Sequence, residues 1–353
     1  MGRSKILFAA ALGAAAIAIP HQAQAQVVTG LDALRNWNLV VLGDLTSSSE
    51  VEGRTYVTGN LTGNSSNYQI KTPSDATVTG LPGLTVVGNV TGGVKNLNNG
   101  SGAVIGGNVD SGFNLNGAPQ TVKVGGTIAN TNINSNTVNS GLATSDPSFA
   151  ADLKLQASVL DTSMHGLSQD LAKLDANSTA TFSGNRGTFD AKPGADGVAV
   201  FQISAADLDK IGEIQFNPNG ADTVVVNVSG TDIKLNDNFL GGTNGLGEKV
   251  IWNFSEAETL DLSTAWGGSI LAPDADAHTR NYVQGSAVFG NLVQDGEFHL
   301  GTYGGSYNPP SNPGGGDGGD PTPVPEPGTM LLFLIGAGGI FYVARRRRQA
   351  ATA

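Results

Sequence analysis

Cysteine is absent from this sequence, and aromatic and charged residues are scarce. The 353 residues include no Cys, 6% aromatic residues and 14% charged residues. Without Cys there is no disulfide framework, no thiolate metal site and no cysteine nucleophile. A folded domain of this composition must therefore be stabilised by side-chain packing and backbone pairing.

Basic clusters are also lacking, except at the two ends of the chain. The formal net charge is -11, and six of the 19 basic residues are Arg3, Lys5 and Arg345–Arg348, which leaves 13 basic against 30 acidic residues in between. Because a nucleic-acid backbone needs clustered Lys and Arg, nucleic acid is excluded as an expected partner. The acidity favours solubility, cation binding or repulsion between cells.

Glycine is abundant, with 50 residues, and 39% of the chain is hydrophobic. A chain of this length and hydrophobicity can bury a core. Stretches rich in Gly, Asn, Thr, Ser and Val suit short strands joined by tight turns. We therefore expect a folded, mainly β domain.

Residues 1–25 have the three regions of a secretory signal peptide. A basic start is followed by an apolar run over residues 6–19 and by the small-residue pattern Ala23-Gln24-Ala25. We expect cleavage between Ala25 and Gln26 and export through the secretion machinery. An uncleaved N-terminal anchor is the alternative, although the apolar run is short for it.

The C-terminus combines a linker, a short motif, an apolar segment and a basic tail. The Gly/Pro-rich linker covers residues 308–323, the motif 324–328, the apolar segment 329–344 and the tail 345–348. This order resembles the PEP-CTERM sorting signal, and its motif residues are Pro325, Glu326 and Pro327. The resemblance implies an exosortase-type sorting enzyme as partner, transient holding in the inner membrane, and a cytoplasmic tail of Arg345, Arg346, Arg347 and Arg348.

The apolar segment fits a short C-terminal transmembrane helix. Its 16 residues would span about 24 Å, less than a ~30 Å hydrocarbon core, and basic residues stay on the cytoplasmic side. A short anchor suits a tail that is removed after sorting. An ordinary transmembrane helix preceded by two prolines is the alternative.

Short segments centred on Gly recur along the domain. Each has a branched apolar residue two positions before and two positions after the Gly, so all three residues face one side of a strand. The segments are Val57–Leu61, Val86–Val90, Ile105–Val109, Val124–Ile128 and Val288–Leu292. The first four centres are 29, 19 and 19 residues apart, which is typical of a β-solenoid (β-helix) whose coils stack.

Asparagine follows four of these central glycines, at Asn60, Asn89, Asn108 and Asn291. We expect these residues to stack along one corner, with their amides bonding between successive coils. A β-sandwich whose hairpins share Gly-Asn turns is the alternative.

One segment has a helical rather than a β pattern. Apolar residues recur at helical spacing between residues 147 and 174, and Pro147 suits the first helical position. Such an amphipathic helix is about 42 Å long, comparable with eight or nine coils at ~4.8 Å each. We expect it to pack alongside the solenoid, with His165 on its surface rather than in a site.

Further strands are expected after the helix, at residues 198–203, 223–228, 250–254 and 269–272. No linker-like segment interrupts residues 31–307. We therefore expect one domain over residues 26–307, in which the later strands complete the same core.

Two stretches resemble the choice-of-anchor A domain, a bacterial surface family classed as adhesive and found with different anchors. The first contains Asn38–Asp44 and Val51–Asn60, and the second contains Val250–Phe254, Gly268–Pro273 and Gly296–His299. The resemblance covers about three quarters of the chain. It implies a β-helical fold with a flanking helix, similar to ice-binding-like adhesive domains, and it implies no catalytic residues.

Candidate catalytic groups fall into two sets. One set is Asp44, Glu50, Glu52 and Arg54, and the other is Asp274, Asp276, His278, Glu297 and His299. Paired carboxylates about 5–9 Å apart would suit glycoside hydrolysis. Because Glu52 and Arg54 are two apart on a strand-like segment, we interpret them as an ion pair, and Glu297 and His299 share a face in the same way. We therefore assign no catalytic residue.

Asp274 and Asp276 are weak candidate calcium ligands. Carboxylate and loop carbonyl oxygens suit calcium, but the repeated Asp spacing of a calcium-binding loop is missing. We expect no other cofactor and no metal. Ice binding would need a regular threonine array, and residues such as Thr62 and Thr91 do not recur in step along the sequence.

The terminal signals, the repeats and the resemblance favour a noncatalytic adhesion or extracellular-matrix (biofilm) protein at the cell surface. We expect its ligand to be an extracellular polysaccharide or a surface protein. The alternatives are an enzyme that acts on extracellular polysaccharides from a β-helix, and an ice-binding protein.

Overall fold

A computed structural model describes residues 27–73, 77–117 and 119–307 of the chain. The predicted signal cleavage site at Ala25 and Gln26, the linker, the motif Pro325–Pro327, the apolar segment and the Arg tail lie outside these residues. Within the described ranges, no helix combines the length and apolar character needed to span a membrane.

The first half of the domain consists of one short helix and twelve short strands, which alternate with turns rich in Gly and Asn. The helix α1 covers Gly30–Asn36. The strands are β1 (Leu39–Val41), β2 (Leu45–Ser47), β3 (Glu50–Val51), β4 (Thr55–Val57), β5 (Leu61–Thr62), β6 (Ser66–Tyr68), β7 (Leu84–Val86), β8 (Lys95–Leu97), β9 (Ala103–Ile105), β10 (Phe113–Leu115), β11 (Thr121–Val124) and β12 (Thr137–Asn139).

Two helices follow, α2 (Leu142–Ser145) and the long α3 (Pro147–Ala172). The start of α3 is fixed as the sequence predicts, because Pro147 occupies the first turn and the Asp146 side chain accepts a hydrogen bond from the Ser148 N–H. The helix ends two residues before the predicted position 174.

The second half adds longer strands and one short helix, α4 (Ala205–Leu208). The strands are β13 (Ala180–Ser183), β14 (Arg186–Asp190), β15 (Val198–Ser204), β16 (Glu213–Asn217), β17 (Thr223–Ser229), β18 (Asp232–Leu235), β19 (Asn238–Leu240), β20 (Val250–Asn253), β21 (Thr259–Leu262), β22 (Trp266–Gly267), β23 (Ser269–Thr279), β24 (Val283–Gln284), β25 (Ala287–Gln294) and β26 (Phe298–His299). The four strands expected from the sequence correspond to β15, β17, β20 and the first part of β23.

The strands stack in parallel into three faces, which fits a β-helix-like fold. The covered face has the strand order β12-β11-β9-β7-β4-β1-β25-β23-β20-β17-β15. The ladder face consists of β18, β21, the second parts of β23 and β25, β2 and β5. The seam face has the order β10-β8-β6-β3-β26-β24-β22, and β19, β16, β14 and β13 continue it as a separate sheet. Among the described strand pairs only β13 and β14 are antiparallel, so the β-sandwich alternative, which needs antiparallel hairpins, is wrong.

The chain starts in the middle of this stack. The first half builds outward from β1 to β12, α3 returns along the stack, and the second half builds back from β15 to β25. The two halves meet where Leu39 of β1 pairs with Ala287 of β25. The later strands therefore complete the same parallel sheet as the earlier ones.

The register confirms the predicted repeat in the first half. Thr55, Leu84, Ala103 and Val122 are successive partners, 29, 19 and 19 residues apart. Val57, Val86, Ile105 and Val124 are at 0% exposure, whereas Ile128 is partly buried. The inward position expected for Val288 is wrong, because Phe289 is the partner of Val41 in the interior and Val288 packs in the cluster of α3. Successive coils stack on one another because the inward-facing side chains fill the interior.

The helix α3 lies along the covered face. Its buried residues include Leu160, Met164 and Leu171, which pack in one cluster with Ile251 and Leu271 of the face. Twenty-six residues give about 39 Å, and the eight strand steps from β11 to β17 give about 38 Å. The helix therefore spans the stack that it has to cross.

Candidate functional site

Part of each set of candidate catalytic groups meets on the seam face, where the first coil contacts the last. Val51 of β3 pairs with Phe298 of β26, and both side chains are fully buried. Because residues alternate along a strand, the preceding residues Glu50 and Glu297 point outward. This register places Glu50 beside Glu297 and sets Glu52 next to His299, although the two segments are far apart in sequence.

The polar groups of this seam are tied to one another and to the backbone. The Glu52 carboxylate accepts the Leu300 N–H at 2.8 Å and lies 2.6 Å from the Lys71 ammonium. His299 Nε2 lies 2.8 Å from the Glu297 carboxylate. The bond between Glu52 and Leu300 links the end of the last coil to the first coil across the seam.

Two further side chains complete the seam. The Asn67 amide donates to Glu50 at 3.1 Å. The Tyr282 ring stacks on the His299 ring, with centroids 4.5 Å apart and planes 12° from parallel. The arrangement is a bonded polar patch on an outer face, and Glu297 is about half exposed, with 49% of its side chain accessible.

The predicted ion pair between Glu52 and Arg54 is wrong. The chain bends at Glu52 and Gly53 before β4 begins, so the two-residue alternation of a strand does not hold there. Glu52 binds Lys71 instead, and the Nε and Nη1 atoms of Arg54 are buried with no hydrogen-bond partner within the described part of the chain. Burial lowers the pKa of the Arg54 guanidinium.

A continuous polar ladder follows the corner between the covered face and the ladder face. The Asn60 N–H donates to Asp44 at 2.7 Å, the Asn89 N–H to Asn60 at 2.9 Å, and the Asn108 N–H to Asn89 at 2.9 Å. On the other side, the Asp44 N–H donates to the Asn291 amide oxygen at 2.8 Å. The predicted asparagine stack is therefore present, and its oxygens accept backbone N–H groups from successive coils. Asp44 is a member of this ladder.

Asp274, Asp276 and His278 do not converge. A bulge in β23 separates Asp274 from Asp276. Asp274 binds Nε2 of His165 at 3.0 Å, and Asp276 accepts a hydrogen bond from Asn291 at 2.8 Å. His278 lies 2.9 Å from Asp295 instead.

Within the described ranges, no group of three or more His, Cys, Asp or Glu is arranged to hold a metal ion. Calcium binding by Asp274 and Asp276 stays a prediction. It requires a melting temperature that rises with calcium, and identical melts with calcium and with chelator would contradict it.

His165 lies on α3 and joins the helix to the stack. Its Nδ1 bonds to the Asp161 carbonyl at 2.8 Å, and its Nε2 bonds to Asp274. Partial burial lowers its pKa, but the two bonds outweigh burial, so the pKa is raised. The side chain is 29% exposed, as expected for a residue at the edge of a helix interface.

Three threonines of the ladder face lie side by side on adjacent coils. Thr46 pairs in register with Thr62, and the Thr91 hydroxyl donates to the Thr62 hydroxyl at 3.2 Å. The expectation that Thr62 and Thr91 do not recur in step is therefore wrong, because the coil between them has 29 residues rather than 19. The row is short, since Val293 takes the next position beside Thr46.

Two buried charged residues were not identified from the sequence. Lys95 is fully buried, with its ammonium directed at the carbonyls of Thr62, Gly63 and Asn64, and burial lowers its pKa to about 8. Asp237 is also fully buried, and burial first and Asp209 second raise its pKa to about 7. Lys95 is two residues from the buried Leu97, and Asp237 is two residues from the buried Leu235. Because residues two apart on a strand face the same side, this spacing could have indicated that both charged residues point inward.

A family model described as "Putative Ice-binding-like adhesive domain" matches residues 30–300. The chain belongs to this family. The match covers the ice-binding-like adhesive domain from α1 to the end of the seam. A PEP-CTERM protein-sorting motif matches residues 323–348. That motif implies export, cell-surface localisation and recognition by an exosortase-type sorting enzyme. No curated protein and no solved structure matches the chain.

Proposed function

We propose that this chain is a noncatalytic adhesion or extracellular-matrix protein of the choice-of-anchor A type. The observation that carries the proposal is the presence of an adhesive-like domain at residues 30–300 and a sorting motif at residues 323–348 on one chain. Residues 329–344 hold the chain in the inner membrane until the exosortase acts. The processed domain then stays at the cell surface or in the matrix, where it binds an extracellular polysaccharide or a surface protein.

The bonding of the seam supports a noncatalytic role. A general acid or nucleophile needs a carboxylate that faces a substrate site. Both oxygens of Glu52 are instead occupied, since one accepts the Leu300 N–H and the other pairs with Lys71. Glu297 binds His299. The contact between Glu52 and Leu300 joins the two halves of the domain, which is a structural role.

The sorting step is tested by changing the motif while the apolar segment is kept. Replacement of Pro325, Glu326 and Pro327 by Ala should leave the chain in the membrane fraction, whereas deletion of residues 324–353 should release it from the sorted location. Cell fractionation and immunoblotting measure both. An unchanged surface location of both variants would contradict the sorting proposal.

A polysaccharide-acting enzyme is the second candidate, and the in-register placement of Glu50 beside Glu297 favours it. The backbones of parallel neighbours lie about 4.8 Å apart, close to the carboxylate separation of about 5–5.5 Å in retaining glycosidases. The test is incubation of the protein with extracellular polysaccharides and measurement of new reducing ends. Turnover that disappears in Glu50→Gln, Glu52→Gln or Glu297→Gln, but persists in the exposed control Glu213→Gln, would overturn the adhesive proposal.

A further inference from the structure

The last described residues form a strap, Gly301–Tyr307, that climbs the stack from the seam. The Gly304 N–H donates to the Glu248 carbonyl, just before β20, at 2.9 Å. The Ser306 N–H and hydroxyl both donate to the Asp222 carboxylate, just before β17, at 2.7 Å. The strap therefore passes β20 and then β17 on its way towards β15.

Side-chain contacts fix the strap to the domain. The Tyr303 hydroxyl lies 2.6 Å from the Thr223 hydroxyl, and the Arg35 guanidinium lies over the Tyr303 ring, 5.3 Å from its centroid. Arg35 also donates to the Gly305 carbonyl. Tyr307 ends the strap in a cleft that Val198 of β15 also lines. The chain therefore leaves the domain at the β15 end of the stack, on its way to the sorting motif.

The opposite end of the stack lies far from this exit. It consists of β12 and the loop before it, residues 129–141, which we call the tip. Ten strand steps separate β15 from β12 on the covered face, which corresponds to about 48 Å. An anchor at the β15 end would therefore present the tip to the surroundings.

The tip differs chemically from the rest of the domain. Residues 124–145 include no charged side chain, whereas the chain as a whole is acidic. Apart from Ala129 and Ile133, the exposed side chains of the tip are amides and hydroxyls, and Ile133 is 46% exposed. Neutral donors and acceptors around one apolar residue suit the hydroxyl-rich surface of an uncharged polysaccharide.

Hydrogen bonds to the preceding coil fix the conformation of the tip. The Thr131 hydroxyl accepts the Phe113 N–H at 2.9 Å, and the Asn136 amide oxygen accepts the Gln120 N–H at 3.0 Å. Asn134 has a φ of +46°, a left-handed conformation that Asn tolerates better than most residues. Because the loop is ordered before binding, less conformational entropy is lost when a ligand is bound.

We infer that the strap sets the orientation of the displayed domain relative to its anchor. We also infer that the tip is the end of the domain that binds an uncharged polysaccharide. This inference rests on the proposed adhesive function. It adds to that function a binding surface, a ligand class and a direction of display.

Cells that display the full-length chain test the ligand class and the surface. Binding of dextran-coated beads is compared with binding of alginate-coated beads, which carry carboxylates. We expect dextran to be preferred, and Asn132→Ala with Asn134→Ala to reduce dextran binding about tenfold, since each lost hydrogen bond weakens binding several-fold. The control Asn238→Ala, an exposed residue near the β15 end, should bind as the unchanged protein does.

The direction of display is tested separately, because the chain has no Cys. Ser135→Cys lies in the tip and Ser183→Cys lies in β13 at the other end, and both serines are exposed. Each cysteine is coupled to a biotin maleimide and covered with streptavidin, and the label also measures the amount of displayed protein. Streptavidin should block bead binding only at position 135.

The possible outcomes distinguish the assignment of the tip from the adhesive function itself. Equal dextran binding by the tip variants, or a block only at position 183, would overturn the assignment of the tip. Preference for alginate would overturn the ligand class while the adhesive function stands. Cells that bind dextran, alginate and protein-coated beads no better than cells without the chain would contradict the adhesive function itself.

Discussion

The two halves of the domain fill the same kind of stack in different ways. In the first half, β7, β9 and β11 are 19 residues apart, and their interior contains branched aliphatic residues such as Val86 and Ile105. In the second half, β15, β17 and β20 are 25 and 26 residues apart. Their interior contains a cluster of aromatic rings around Trp252.

The difference lies in the side chains that fill the interior. The ring centroids of Phe189, Phe216, Phe239 and Trp266 lie 5.0–6.3 Å from a ring centroid of Trp252. Large rings therefore fill the interior around β15, β17 and β20. In the first half, the corner ladder of Asn60, Asn89 and Asn108 adds hydrogen bonds between successive coils.

Trp252→Ala should have the largest effect, because it removes the centre of the aromatic cluster. We expect the free energy of unfolding to fall by about 3–5 kcal/mol, as is usual for a buried aromatic residue replaced by Ala. The Trp252 indole N–H also donates to the Gly267 carbonyl at 2.9 Å. Chemical denaturation followed by circular dichroism measures the change.

The matched variant in the first half is Val86→Ala, at a fully buried position of the short coils. Its expected cost is about 2 kcal/mol, since fewer methyl groups are removed. Equal losses from the two variants would mean that the aromatic cluster does not set the stability of the second half.

Asp237→Asn should raise stability at pH 8 by about 1–3 kcal/mol. Burial raises the pKa of Asp237 to about 7, above the value of about 3.9 in an unfolded chain. The folded state therefore favours the neutral carboxyl. The contribution of Asp237 to the free energy of unfolding is fully present below about pH 4 and is lost as the pH rises through 7. The gain from Asn is less than the full shift implies, because the amide is buried too. Thermal melts between pH 5 and 8 measure it.

The pH slope should become smaller in Asp237→Asn but should not vanish. The pKa of His165 is raised, so its contribution is also present at low pH and is lost as the pH rises through the folded value. The buried charge of the first half gives the contrast, since Lys95, with its pKa lowered to about 8, stays protonated below pH 7. Lys95→Met should leave the slope between pH 5 and 7 unchanged, and a flattened slope in that variant would contradict this assignment.

How much of the molecule the sequence predicts depends on the half. The first half was predicted because its coil length is nearly constant and Gly-Asn marks its corner. In the second half, only Val288–Leu292 was predicted as a repeat, with Asn291 at the corner, and the remaining elements were recognised as separate strands because the coils vary in length. The pairing of Leu39 with Ala287 was not predictable, because the return of the chain along α3 decides it. The meeting of Glu50 and Glu297 depends on that same pairing, so the seam could not be derived from local patterns.

Asn89→Ala should lower the stability of the first half by about 1 kcal/mol. The substitution removes the oxygen that accepts the Asn108 N–H at 2.9 Å, and the position is exposed, so water replaces part of the lost bond. Hydrogen exchange at Asn108 measures the local effect and denaturation the global one.

The ladder itself provides the control for this substitution. Asp44 accepts the Asn60 N–H with a carboxylate oxygen, so Asn89→Asp should keep most of the stability at neutral pH. If Asn89→Asp is as unstable as Asn89→Ala, the cohesion of the corner does not come from the side-chain acceptor.

Gly166→Ala should have the smallest effect and should raise stability by about 0.5–1 kcal/mol, because Gly is a poor residue for a helix interior. A Cβ at this position of α3 meets no atom within 4 Å. The control is Gly184→Ala, which is equally open but has a φ of +56°, so it should lower stability. Because α3 packs against β17, β20 and β23, the gain should appear as slower hydrogen exchange in these strands and not in β9 or β12. Equal slowing of exchange in β17, β20 and β23 and in β9 and β12 would mean that the two halves unfold as one unit. The two halves would then differ in how their interiors are packed and not in how they unfold.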